Sequence, residues 1–258
     1  MDSLKIIKVG GNIIDNPEAL DHFLEQFAAL QGPKVLVHGG GKLATKLAKD
    51  MQVPVNMVEG RRITDAETLD VITMVYAGKI NKGIVAKLQA YKCNAIGFTG
   101  ADGNTICSVK RPVKTIDYGF VGDIEQVNAD VLQVLLEQQI TPVFCAITHD
   151  NRGQLLNTNA DTIASALAVG LSEFFKTELI YVFEKNGVLL SVDDDNSVIQ
   201  TINSEGYNTL KREGVIADGM LPKLTNCFDA LKAGVSKVII GNATVISANP
   251  QKHTTLKL

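Results

Sequence analysis

The sequence predicts an α/β fold, a single sheet with helices on both faces, on three observations. Short β-prone apolar runs alternate with stretches of helical spacing along the whole chain. Two of those runs end in glycine turns that lead into helices, at Gly10-Gly11 and at Gly39-Gly40-Gly41. No Pro- or Ser-rich linker and no repeat divides the 258 residues, and 45% hydrophobic content can fill a large core as one big domain or two small lobes.

The first strand covers residues 4–9, where Lys5 and Lys8 interrupt an apolar run. Gly10-Gly11-Asn12 ends it, and Asn16-Pro17-Glu18 opens a helix spaced at Leu20, Phe23, Leu24 and Phe27. Lys8 is placed to reach the mouth of that turn. The second strand, Val35-Leu36-Val37-His38, runs through three glycines into another helix. Three successive residues without Cβ let backbone N–H groups approach a ligand closely, and the helix adds the positive end of its dipole. That is anion-binding geometry, for phosphate or carboxylate. The same turn fits G-x-G-x-x-A, with Glu59 at the distance of a ribose-gripping acid, which keeps a dinucleotide-dependent oxidoreductase open. It does not fit the P-loop, because no Gly-Lys-Ser/Thr follows a four-residue spacer.

Residues 53–58 form a third apolar stretch. Thr64 is expected to cap the next helix, with Glu67 completing a capping box. Leu69, Ile72, Val75, Tyr76, Ile80, Ile84 and Leu88 mark one long helix over residues 65–91, whose wide stripe can cover the sheet and pack on a partner subunit. Arg61-Arg62, just before it, can fork onto a carboxylate. Residues 95–98 read as a buried strand, and 105–109 with 120–124 as a hairpin or flap of the kind that forms lids. Asn128 caps a further helix, and residues 142–147 read as a fifth core strand. Asn159 caps a small-residue helix with Asp161 in its first turn. A sixth strand over 179–183, helical spacing over 202–211, a helix with Pro222 in its first turn and a last strand over 237–240 complete the chain. Asp193-Asp194-Asp195 lacks EF-hand spacing and reads as a solvated turn.

A net charge of −3 and a pI near 5.8 argue against nucleic-acid and membrane-surface partners. Cys93, Cys107, Cys145 and Cys227 are widely spaced, with no C-x-x-C pair, so neither a zinc site nor a disulfide framework is expected. Reduced thiols and a cytoplasmic location follow as expectations, and no run has the length of a membrane span.

Five motifs in one order carry a resemblance: Lys8-Val9-Gly10-Gly11, His38-Gly39-Gly40-Gly41, Gly60-Arg61-Arg62-Ile63-Thr64, Asn157-Thr158-Asn159-Ala160-Asp161 and Asp218-Gly219-Met220-Leu221-Pro222-Lys223. Nearly end to end, the chain resembles the N-acetylglutamate kinases of the amino acid kinase family. The resemblance implies a three-layer αβα sandwich with an eight-stranded, mostly parallel sheet. It implies a single domain over 1–258, with residues 1–176 forming an N-terminal lobe for acyl-glutamate and the dimer interface, and residues 177–258 a C-terminal lobe for the nucleotide. The implied activity is ATP-dependent phosphorylation of the side-chain carboxylate of N-acetyl-L-glutamate, with Mg2+ on the nucleotide phosphates. Lys8 and Lys223 are then the catalytic cations and Asp161 the acid that holds them. Gly10 and Gly11 supply N–H groups to phosphate, and Gly40 and Gly41 to the substrate. Arg62 and Asn157 bind its amino-acid end. Glu184, Lys185, Asn186, Gly187, Val188 and Leu189, together with Val215, Ile216 and Ala217, line the nucleotide site.

A carboxylate is already a nucleophile and needs no general base. The difficulty is to bring it against an anionic triphosphate, which is why lysines, glycine turns and helix N-termini are the residue types required. Family members usually carry Thr or Ser followed by Asp-Val after the sixth strand, where this chain has Phe183-Glu184-Lys185, so nucleotide preference is open. Arginine-inhibited members carry a helix ahead of the first strand, where only Met1, Asp2 and Ser3 stand here; a homodimer insensitive to arginine is the expectation. A sister carboxylate kinase acting on aspartate or free glutamate, and a non-catalytic nucleotide sensor, remain as alternatives. So does N-succinyl-L-glutamate as the substrate, because Arg61 stands where the family commonly has Leu. Adjacent residues at a strand end tend to face opposite ways, so Arg61 is expected to point to solvent.

Overall fold

The computed structural model describes residues 1–58, 60–191, 193–216, 220–247, 250 and 252–258. Glu59, Ala217, Asp218 and Gly219, all singled out above, lie outside the described residues. Strand β1 (Ser3–Val9) leads through the single-turn α1 (Gly11–Ile14) into α2 (Pro17–Ala29), whose first two free N–H groups, those of Glu18 and Ala19, are taken by Asn16. Strand β2 (Lys34–His38) leads into α3 (Gly41–Asp50), followed by the short pair β3 (Met57–Val58) and β4 (Arg61–Arg62). Next come α4 (Ala66–Thr73), a π-helical segment over Met74–Ile80, α5 (Asn81–Ala90) and β5 (Ala95–Phe98). Strands β6 (Ile106–Lys110) and β7 (Gly122–Val127) precede α6 (Ala129–Glu137), β8 (Thr141–Phe144), β9 (Ile147–His149) and β10 (Leu155–Asn157). The chain ends with α7 (Ala160–Gly170), β11 (Lys176–Val182), β12 (Thr201–Ile202), α8 (Ser204–Arg212), α9 (Met220–Lys232), β13 (Lys237–Gly241) and β14 (Thr254–Leu256).

Among the described residues the main sheet has eight strands in the order β12-β14-β13-β11-β1-β2-β8-β5, parallel throughout except where β14 meets β13. This is the α/β architecture expected. Strand β1 lies in the middle, and Leu4, Ile6, Ile7 and Val9 are fully buried, each worth roughly 1.5–3 kcal/mol of transfer free energy. Two half-buried lysines interrupt it, Lys5 and, nearer its C-terminal end, Lys8. The register partners of Lys8 are Val37 on β2 and Tyr181 on β11, so it sits at the C-terminal edge of the sheet, where the glycine turns after β1 and β2 emerge together. Lys42, at the start of α3, ties the two turns by donating to Asn12 Oδ1.

Several local expectations are corrected. The helix after β4 is capped by Asp65, which accepts from Thr68 N at 2.8 Å; Thr64 is instead drawn into a bridge with Gly119, its N–H donating to Tyr118 O. The long helix over 65–91 is continuous but carries the π-helical segment, which turns Tyr76 and Ile80 against the Gly40 turn. The apolar run at 142–147 divides between β8 in the main sheet and β9 in a second, four-stranded sheet of order β10-β9-β6-β7. Only Met57 and Val58 of the stretch 53–58 are strand, and β5 is an edge strand with Ile96 exposed. The hairpin of β6 and β7 is no loose flap: Phe120 N donates to Thr64 O (2.7 Å) and Asn157 N to Phe120 O (2.8 Å), so it is fixed as a wall.

Candidate active site

Above the C-terminal edge of the main sheet is a cavity of about 410 Å3. Its walls come from the Gly39–Gly41 turn, the β3–β4 pair, the hairpin of β6 and β7, the N-terminus of α7, and Lys223 on α9. Gly40, Gly41, Arg62, Asn157, Asp161 and Lys223, six of the residues singled out in the sequence, line it together.

Asp161 organises the floor. Asn159 caps α7 by accepting from Asp161 N (2.8 Å) and Thr162 N (3.2 Å), which fixes the first helical turn. The Asp161 carboxylate then reaches Lys8 Nζ at 2.8 Å through Oδ1 and Lys223 Nζ at 3.6 Å through Oδ2. Burial alone would raise the Asp161 carboxyl, but the two ammonium groups outweigh it and hold the group below the ordinary aspartate value. One anion therefore holds two cations at the end of the central strand, with one positive charge in excess. Lys223 also lies 5.1 Å from the Phe183 ring centroid, so the phenyl at the unusual position packs against this ammonium group.

Arg62 is 8% exposed, and no carboxylate pairs with it among the described residues. Its Nη2 donates to Thr45 Oγ1 (2.8 Å) and Gly41 O (3.2 Å), while Nη1 is buried without a partner. A buried guanidinium left half-satisfied on a cavity wall is a receptor for an anion. Asn157 Nδ2 donates to Thr64 Oγ1 (2.9 Å), which leaves its carbonyl oxygen to accept from a ligand N–H. Tyr76 and Tyr118 complete the wall, and Arg111 on it is neutralised by Asp123 at 2.6 Å. Nothing in the sequence spacing singles out Thr45 or Tyr76, because a helical Thr and a stripe Tyr each read as ordinary packing.

The glycine turns are held by tertiary contacts. Gly40 has φ +150, and a Cβ there would lie 2.1 Å from Ile80 Cδ1. Only glycine suits it. Beneath the turn, fully buried His38 donates from Nδ1 to Gly39 O (2.8 Å) and accepts at Nε2 from Asn81 Nδ2 (3.0 Å), which also donates to Val143 O (2.9 Å). Burial pushes this imidazole down to about 4. The turn at Gly10 departs from expectation: its N–H donates to Val182 O at 2.9 Å, so it is not free for phosphate. Glycine is needed there for close approach, since a Cβ would sit 3.1 Å from that same oxygen.

The amino acid kinase family model matches residues 3–242, spanning every one of these elements except the last strand. This chain belongs to the amino acid kinase family. A Cytophaga hutchinsonii member named acetylglutamate kinase is 59% identical over 94% of this chain and 92% of its own length. One from Phocaeicola vulgatus with the same name is 54% identical over 95% and 96%. A Streptococcus mutans protein of known crystal structure superposes with a TM-score of 0.76 at 25% identity, covering 98% of each chain.

Within this amino acid kinase fold, the residues implied for the nucleotide lie beyond the cavity, after β11. Glu184 and Lys185 are exposed, and Lys185 pairs with Asp195 at 2.7 Å. Asn186 Oδ1 accepts from Asn242 Nδ2 (2.6 Å), and Val188 N donates to Thr254 Oγ1 (2.8 Å), folding the segment against the end of β13 and the start of β14. Gly187 is closed over by Thr254, and Leu189 bridges to Val198. Val215 and Ile216 follow α8, each with its N–H directed at Leu210 O. Among the described residues no group of three His, Cys, Asp or Glu side chains could hold a metal ion, and no helix is long and apolar enough to cross a membrane.

Proposed function

We propose that the chain transfers the γ-phosphoryl group of ATP to the side-chain carboxylate of N-acetyl-L-glutamate, giving N-acetyl-L-glutamyl 5-phosphate and ADP, as a step of arginine and ornithine biosynthesis in the cytoplasm. The observation that carries the reading is the pairing of a half-satisfied, buried Arg62 with Asp161 and Lys223 in one cavity, Lys8 reaching that same Asp161 at 2.8 Å, in a chain 59% identical to a protein named acetylglutamate kinase.

Arg62 Nη1 takes the α-carboxylate, and the Asn157 carbonyl accepts the N–H that acylation leaves on the amino group. The side-chain carboxylate then points along the Gly40-Gly41 turn toward Lys8 and Lys223. The two ammonium groups meet the charge that shifts between oxygens as the phosphoryl group moves, and Asp161 holds them in position beforehand. Gly11 offers its N–H at the neighbouring turn. Magnesium on the nucleotide phosphates would offset part of their charge. In this reading residues 1–176 bind acyl-glutamate and residues 177–258 the nucleotide, with Glu184 to Leu189, Val215 and Ile216 around it.

A coupled ADP-release assay with N-acetyl-L-glutamate, L-glutamate and L-aspartate tests this. Turnover of the acylated amino acid alone is expected. Turnover of free glutamate or aspartate in its place, or NADH fluorescence enhancement on titration without ADP release, would replace the reading with a sister kinase or an oxidoreductase.

A further inference from the structure

The two cations on the floor of the cavity are held unequally. Asp161 meets Lys8 at 2.8 Å, but Lys223 stands 3.6 Å from it, beyond hydrogen-bond length. Among the described residues the other contacts of the Lys223 ammonium group are two aromatic rings, with centroids 5.1 Å away in Phe183 and 5.9 Å away in Tyr181. Side chains two apart on an extended strand share a face. Both rings therefore come up on the face of the sheet that carries Lys8, the register neighbour of Tyr181.

Each ring is fixed by its surroundings. Tyr181 is 2% exposed, and its hydroxyl donates to Asp161 O at 3.1 Å, in the first turn of α7. Phe183 continues the ladder beyond the end of β11: its N–H donates to Gly241 O at 2.9 Å, and Val182 before it accepts from Gly10 N at 2.9 Å. The Gly10 turn lies directly against this stretch, since a Cβ on Gly10 would stand 3.5 Å from Phe183 Cα. A phenyl has no hydrogen bond to give. What it offers a cation is the negative face of its ring, and the attraction grows as water is kept away. The Lys223 side chain is 24% exposed, so most of it is shielded.

We propose that the Phe183 ring, with Tyr181 beside it, is a positioning support for Lys223: it holds the ammonium group that Asp161 alone leaves at 3.6 Å, so that the charge is in place before the phosphoryl group moves. Phe183 does not line the cavity, whereas Lys223 does, so the ring acts through the lysine and not on the substrate. The inference rests on the acyl-glutamate kinase reading and adds to it a residue that fixes one of the two cations.

The test uses the purified full chain with magnesium, ATP and N-acetyl-L-glutamate. It reads kcat and both KM values by ADP release in Phe183→Leu, Phe183→Tyr, Lys223→Ala and the double variant of Phe183→Leu with Lys223→Ala, with more enzyme for the slow lysine variants. Phe183→Leu keeps the apolar bulk without the ring and is expected to lower kcat about 3- to 30-fold, with each KM within about twofold of wild type. Phe183→Tyr keeps the ring and should hold kcat within about twofold of wild type. In the Lys223→Ala background, Phe183→Leu should change kcat by less than about twofold, because the ring then has no cation to hold. An equal fall in both backgrounds overturns the inference, and so does an unchanged kcat in Phe183→Leu. A raised KM for ATP at unchanged kcat overturns it too, since the ring would then belong to the nucleotide. If circular dichroism shows Phe183→Leu unfolded, Phe183→Met carries the same comparison in its place. Each of these failures leaves the kinase reading intact as long as the wild type turns over. No ADP release from the wild type overturns that reading and this inference with it.

Discussion

Lys8 Nζ and Asp161 Oδ1 meet at 2.8 Å although one lies on the central strand and the other in the first turn of a helix more than 150 residues later. Each residue is oriented by its own element, Lys8 by β1 and Asp161 by the Asn159 cap, so the contact joins two rigid supports. Removing either lysine should act mainly on the transition state. Lys8→Ala and Lys223→Ala are expected to lower kcat by about 10²–10³-fold with much smaller changes in KM. Asp161→Asn should do likewise by loosening both lysines. Initial-rate kinetics check this, and near-normal kcat in either lysine variant would remove the assigned roles.

Gly40 answers to backbone geometry as well as to space. Gly40→Ala places a side chain at φ +150 and a Cβ 2.1 Å from Ile80 Cδ1. A loss of about 1–3 kcal/mol in denaturant unfolding is expected, with weaker acyl-glutamate binding. Adding Ile80→Ala should relieve the contact but not the backbone strain, so only part of the loss should return.

His38 should make stability depend on pH. Its folded-state pKa of about 4 lies below the unfolded value of 6.5, so between those values the unfolded chain binds the extra proton. Stability is therefore full above pH 6.5 and falls as the pH drops toward 4. The loss from pH 7 to pH 5 is about 2 kcal/mol. Asp161, held below its ordinary value, titrates under this window and does not contribute to it. Urea unfolding at the two pH values should show the slope in the wild type and a flatter one in His38→Asn.

A homodimer is expected, assembled through the long helix and the adjoining sheet edge, where Met74 on the π-helical segment and Ile96 on the edge strand β5 are exposed. Light scattering is expected to give twice the 27.7 kDa chain mass. Met74→Asp with Ile96→Asp should return the mass to that of one chain. A hexamer, or no change in the double variant, would count against this face.

Most of what the sequence determined is local. The strand–glycine–helix units at Gly10 and Gly39, the Asn159 cap with Asp161 behind it, and the alternation that makes an α/β sheet are written in periodicity, caps and residues without Cβ, which act over a few neighbours. With five motifs in order, they named the residues that the fold gathers at one sheet edge. What the tertiary structure decided depends on which distant partner takes a given group. Thr64 gave up the helix cap to Asp65 because Gly119 claimed it, and the Gly10 amide was taken by β11. The run at 142–147 was divided between two sheets, and β5 ends the main sheet while β6, β7, β9 and β10 pair in the second one. Arg61 and Arg62 alternate as expected, the first exposed and the second buried, and only the tertiary fold brings the exposed one to the cavity rim. Pairing and burial of this kind join residues far apart in the chain, and no local pattern carries the choice.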